Sequence, residues 1–232
     1  MPTLPFVNIL TQFSLEQLMM FRGLITALIS FIWLRGKVLN IDRYTVLLSI
    51  TVPFATWGLF NGIRSWGAGP SIIIITATPI VNFVIALFLK RHISRAAVVG
   101  LVMMFVGVLI ARWDGVFQWP GLLWCVFGTL ANGLVYEFAP RAKVPVHKKC
   151  FWSMFGMGML GLLISATTPL PSFWENPRLF GLVIGFAFIG GFLYWAANLI
   201  AFDNLPTEVA AVLAQGETPI VIIGAWIILG EV

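Results

Sequence analysis

Residues 75–92 read ITATPIVNFVIALFLKRH, and residues 216–232 read GETPIVIIGAWIILGEV. The same four residues, TPIV, run from Thr78 to Val81 and again from Thr218 to Val221, 140 positions apart, and each copy sets a proline inside an apolar run. A proline in a helix interior costs about 3 kcal/mol, because it lacks the N–H that bonds one turn back and its ring clashes with that carbonyl. Two such prolines in matching surroundings predict an interrupted helix that the chain uses twice.

The rest of the composition fixes the solvent. Of the 232 residues 59% are hydrophobic and 10% charged, with 20 Phe and 10 Trp, whereas a soluble domain carries about 25% charged residues. The apolar runs are about 20 residues long, enough for a helix to cross a ~30 Å hydrocarbon core. The expected fold class is an all-α polytopic membrane protein. No charged n-region, short h-region and small-residue cleavage site marks the start, so the first segment reads as mature chain. Cys125 and Cys150 have neither metal-ligand nor disulfide spacing and read as apolar fillers.

Length and breakers predict a partial span at about 2–13, then spans at about 16–34, 44–63, 70–89, 96–113, 119–139, 150–168, 179–202 and 206–230. Alternate connections carry Arg35, Lys37 and Arg43, then Lys90, Arg91 and Arg95, then Arg141, Lys143, Lys148 and Lys149, ten of the 14 basic residues. The net charge of +5 is thus spread over short loops rather than gathered in a nucleic-acid-binding stripe. By the positive-inside rule these loops are expected to be cytoplasmic, in a cytoplasmic or inner membrane.

Five crossings separate the two TPIV copies, and an odd number reverses direction. The 140-residue offset also lays Phe54–Asn61 over Tyr194–Ala201, and each stretch combines a tryptophan with an in-span asparagine, Trp57 and Asn61 in the first, Trp195 and Asn198 in the second. Inverted repeats with interrupted helices are the mark of secondary transporters, whose sites lie near the midplane between repeats. The expected halves are residues 1–113 and 118–232. Pro70 and Pro206 suit helix starts, where the missing donor is not needed. Pro79 and Pro219 are the helix-breaking pair, freeing carbonyls near Ile75 and Gln215 that only protein or a water-filled cavity can satisfy.

Three stretches, SLEQLMMFRGLITALI with Arg22, GLVMMFVGVLIAR, and AFDNLPTEVAAVLAQGETPIVIIGAWIILGE, resemble the EamA-like group of the drug/metabolite transporter superfamily over nearly the whole chain. The resemblance implies ten helices, five plus five inverted, around a cavity formed largely by the third, fourth, eighth and ninth. Against that pattern the chain carries half of a first helix and lacks the tenth, so it is expected to be a fragment or a degenerate member. Lys90 and Arg91 stand where the second half has Gly230 and Glu231.

Ionisable residues inside spans are functional hypotheses by default. Glu217, two positions before Pro219, could pair with a substrate amine as a carboxylate, carry a coupling proton as a desolvated acid, or donate to the carbonyl that the proline frees. Asn61, Asn82, Asn132, Asn198 and Gln215 are in-span amides, able to orient a zwitterion or to join helices at about 0.6 kcal/mol each. Trp57, Tyr194 and Trp195 could stack on a planar or cationic substrate. Arg22 could hold an anion or snorkel outward, and Glu137 reads as a helix-end residue. Gly58 with Gly62 and Gly181 with Gly185 form small-xxx-small pairs. The expected substrate site is Glu217, Gln215, Trp57, Asn61, Asn82, Tyr194, Trp195 and Asn198.

The function expected is secondary transport of a small metabolite, an amino acid or related amine-bearing compound, in the export direction. A proton is the candidate coupling ion. The chain would act in the bilayer as a monomer or homodimer, without cofactor or metal and without nucleic acid. No HExxH, GxSxG or paired-carboxylate pattern argues for an enzyme. The alternatives are a non-transporting assembly subunit and a drug or nucleotide-sugar carrier of the same superfamily.

Overall fold

The computed structural model describes residues 13–39, 41–66, 71, 74, 77–88, 98–99, 102, 118–169, 177–205 and 210. These residues form α1 (Leu15–Trp33), α2 (Arg43–Trp66), α3 (Thr78–Phe88), α4 (Trp119–Phe138), α5 (Val146–Ser165) and α6 (Pro177–Phe186), then a π-helical segment (Ala187–Leu193) and α7 (Tyr194–Asn204). No strand occurs among the described residues. Among the described residues, four stretches are long and apolar enough to cross a membrane: Leu15–Trp33, Arg43–Trp66, Trp119–Phe138 and Phe180–Asn204. The spans expected at about 2–13, 96–113 and 206–230 fall almost wholly outside the described residues.

Polarity is distributed as lipid requires. Leu28, Ile32, Leu123, Leu163 and Ile189 are all more than half exposed, while Gln17, Thr26, Ser30, Lys149 and Ser153 are sealed. A soluble domain would place these classes the other way round. In hydrocarbon, apolar side chains gain nothing by hiding, and helices join through small residues and hydrogen bonds.

The described residues fall into two compact units, one drawn from Met1–Phe54 and Phe138–Asp203, the other from Ala55–Glu137 and Asn204–Val232. In the first unit α1 opens with a capping box: the Ser14 hydroxyl accepts from Gln17 N, and the Gln17 side chain accepts from Ser14 N. Gln17 Nε2 also donates to Pro169 O at 2.9 Å, tying the start of α1 to the end of α5. The two helices run antiparallel with their backbones almost touching. A Cβ added at Gly23 would lie 2.2 Å from Gly158 N, and one at Gly161 would lie 2.5 Å from Met20 N.

The same unit explains how α2 tolerates Pro53 in its interior. Pro53 cannot donate to Ser49 O. That carbonyl instead faces α5, where a Cβ at Gly156 would lie 2.0 Å from it. Only a glycine, with its weakly donating Cα hydrogens, fits over the freed oxygen.

Hydrogen bonds also gather one end of this unit. Asp42 Oδ1 accepts from Thr45 N and Thr45 Oγ1, both at 2.8 Å, capping α2. Its Oδ2 accepts from Lys143 N in the connection between α4 and α5. Lys148 Nζ donates to Leu39 O at 2.6 Å and Trp152 Nε1 to Val38 O at 3.0 Å. The two basic connections of this unit therefore lie together at one end. Burial alone would raise the Asp42 pKa, but the Thr45 and Lys143 hydrogen bonds and the Lys149 charge outweigh it and hold the carboxyl below its ordinary 3.8.

In the second unit the later half of α2 packs antiparallel on α4. A Cβ at Gly58 would lie 2.5 Å from Gly128 Cα, one at Gly62 would lie 2.5 Å from Cys125 Sγ, and one at Gly121 would lie 2.5 Å from Trp66 Cβ. Gly58 and Gly62 thus sit at a helix contact, whereas a Cβ at Gly181 or Gly185 would meet no described atom within 4 Å.

Two outcomes follow from this packing. Gly23→Ala should lower unfolding stability in detergent by about 3 kcal/mol, since backbone rather than a flexible side chain meets the new methyl, while Gly181→Ala should leave the thermal midpoint where it is. Because the Asp42 pKa is depressed on folding, its contribution is fully present above the unfolded value and is lost as pH falls through the folded one. Wild-type stability should therefore drop more steeply below about pH 4 than that of Asp42→Asn, whose neutral amide weakens the bonds from Thr45 and Lys143 at a cost of about 1 kcal/mol at neutral pH; denaturation followed from pH 3 to 7 measures both.

Candidate functional site

The TPIV break is visible in the second unit. Ser71 and Ile74 are helical, Ala77 is in a turn, and α3 starts afresh at Thr78 with Pro79 in its first turn. The turn is tight: Ala77 N donates to Ile74 O at 3.0 Å and Ile80 N to Ala77 O at 2.9 Å. Ile74 O accepts from Ala77 N and, from α4, from the Thr129 hydroxyl at 3.2 Å.

A small polar cluster surrounds the break. Thr78 is fully buried, and Asn132 Nδ2 of α4 donates to its Oγ1 at 3.1 Å. One turn on, Asn82 is 5% exposed, and neither its Oδ1 nor its Nδ2 has a hydrogen-bond partner among the described residues. Gly133 of α4 sits opposite, where an added Cβ would come 3.3 Å from Asn82 Oδ1. A buried amide left unsatisfied in this way costs about 1–3 kcal/mol, so Asn82 is the most expensive polar group in this cluster.

Trp57 and Asn61 lie on α2 in the same unit. The Trp57 ring meets Trp124 edge-on at 5.0 Å and Phe127 at 6.5 Å. Asn61 Nδ2 donates to Trp57 O at 2.9 Å, back into its own helix.

Tyr194, Trp195 and Asn198 lie in the first unit. Tyr194 is 38% exposed, and Asn198 Nδ2 donates to Tyr194 O at 3.0 Å. Trp195 Nε1 reaches across to α5, donating to Ser153 Oγ at 2.7 Å. The π-helical segment just before them leans on α1, where Thr26 Oγ1 donates to Ala187 O at 3.0 Å. The Arg22 guanidinium lies 5.9 Å above the Phe186 ring. Gln215, Glu217 and Pro219 lie outside the described residues.

One constellation escaped the sequence reading. Lys149, assigned there to a basic loop, is buried in the first turns of α5 and forms an ion pair with Asp203 of α7. Its Nζ also donates to Ala139 O at 2.8 Å. The available signal was positional: Lys149 is the last of four basic residues and the one nearest the span, and Asp203 closes another span just before Asn204 and Pro206.

No family model matches this chain, and no curated protein matches it either.

Asn82→Leu should raise the thermal stability of the protein in detergent by about 1 kcal/mol, because it exchanges an unsatisfied amide for an apolar group of similar volume. A fall in midpoint would mean that the amide is satisfied in the folded protein.

Proposed function

We propose that the chain is a secondary active transporter of the EamA-like type, which moves an amino acid or related amine-bearing metabolite outward by alternating access between two inverted halves. The observation that carries the reading is Asn82. An unpaired amide beside a broken helix destabilises the resting protein, and a polar solute passing that point would relieve the penalty by offering a donor and an acceptor together.

The division of labour follows from the residue types. Thr78 and Asn132 hold each other and keep the start of α3 against α4. Asn82 supplies neutral hydrogen bonding, and the proposed Glu217 supplies charge, either pairing with a substrate amine or carrying the coupling proton. The break at Ala77 removes the regular backbone pairing that would otherwise make this stretch rigid. The resemblance in sequence, the apolar exterior and the clustering of two basic connections at one end of the first unit all support a transporter with those connections in the cytoplasm.

Reconstitution into liposomes loaded with radiolabelled amino acids tests it. Wild type should release label faster than empty vesicles, Asn82→Leu should slow release at least tenfold while melting no lower than wild type, and Glu217→Gln should abolish release or its pH dependence. Release by both variants at the wild-type rate would remove these residues from the pathway, and no release by wild type would reject transport of this class.

A further inference from the structure

At the end of the first unit where the basic connections meet, α5 and α7 bring together a cation, an anion, a hydroxyl and an indole. Lys149 pairs with Asp203, and the exposure of the two partners is lopsided: the lysine side chain is 2% exposed and the aspartate side chain 28%. Lys149 Nζ is steadied by Ala139 O. One turn further along α5, Ser153 Oγ accepts from Trp195 Nε1 and donates to Lys149 O at 2.7 Å, which ties the indole to the turn of α5 that follows Lys149.

Such a pair is weak evidence for stability. Two apolar side chains of matching volume join helices as well or better, whereas removing one charge leaves the other stranded. The same asymmetry dictates what can open the pair. A lone carboxylate taking Lys149 would leave Asp203 unpaired, and a lone amine taking Asp203 would leave Lys149 buried without a counter-charge. A ligand bearing both charges on adjacent atoms keeps every charge compensated.

We propose that Lys149 and Asp203 form a subsite for a zwitterionic α-amino acid, which inserts its carboxylate against Lys149 and its ammonium against Asp203. The inference deepens the transport reading and rests on it, placing a loading point on the side of the basic connections. Opening requires α7 to move relative to α5. The π-helical segment Ala187–Leu193 lies directly before α7, and hydrogen bonding of this spacing recurs at functional positions; its return to α spacing would turn α7 about its axis and carry Asp203 away from Lys149.

The test uses the full chain in detergent with L-phenylalanine, N-acetyl-L-phenylalanine, which lacks the cation, and L-phenylalanine methyl ester, which lacks the anion. Titration calorimetry should find the zwitterion at least tenfold tighter than either derivative, and thermal unfolding should shift upward with it alone. The double variant Lys149→Met/Asp203→Leu removes both charges together; it should keep its helicity and lose affinity for L-phenylalanine at least tenfold. Equal binding of the three compounds, undiminished binding by a folded double variant, or no response of wild type to either L-phenylalanine or glycine would overturn the subsite. If the double variant does not fold, the three-compound comparison on wild type decides alone. Liposome flux separates the two readings: amino-acid release equal in wild type and double variant upholds transport and overturns the subsite, while zwitterion-selective binding without release upholds the subsite and rejects transport.

Discussion

Gly23 and Gly158 bring the backbones of α1 and α5 closer than any side chain would allow, and the order of the first unit depends on that approach. Once the two helices touch, the Gln17 amide can reach the end of α5. At the other end of the pair, α5 is held to the connection after α1 through Val38 and Leu39. Another face of α1 accepts the π-helical segment, with Gly191 leaving space for Thr26. In lipid this is the effective way to join helices, because apolar side chains pack as well on acyl chains as on one another. Dispersion over a close backbone contact and a few hydrogen bonds must do what the hydrophobic effect does in water.

The polar side chains follow from the same solvent. Ser153, Ser165 and Thr51 each turn a hydroxyl back onto a carbonyl of their own helix, the local solution open to a short polar group with no water at hand. Thr26, Asn132 and Trp195 instead donate to a neighbouring element and so fix helix rotation. Asn82 does neither.

What the sequence made legible was whatever one helix decides for itself. Spans read at about 16–34, 44–63 and 119–139 appear as Leu15–Trp33, Arg43–Trp66 and Trp119–Phe138, because length and apolar content alone set them. Lys149 was misread because charge near a span end normally reports topology, and its burial depends on Asp203, 54 residues away. The π-helical segment had no signature, since Ala187–Leu193 is as apolar as the helices on either side. Nor could spacing distinguish Gly58, which meets a neighbouring backbone, from Gly181, which meets none.

Pro53 and Gly156 carry a consequence for how this chain can change over generations. With Pro53 in place, Ser49 O has lost its intrahelical donor and relies on the bare glycine face of α5. Gaining a side chain at 156 would push α5 away and strand that oxygen in hydrocarbon, a double penalty. Replacing Pro53 first restores the donor within α2, and a later change at 156 then disturbs packing alone. The two positions are therefore ordered as well as coupled: a lineage can leave this arrangement by way of residue 53, while the route that begins at residue 156 is closed.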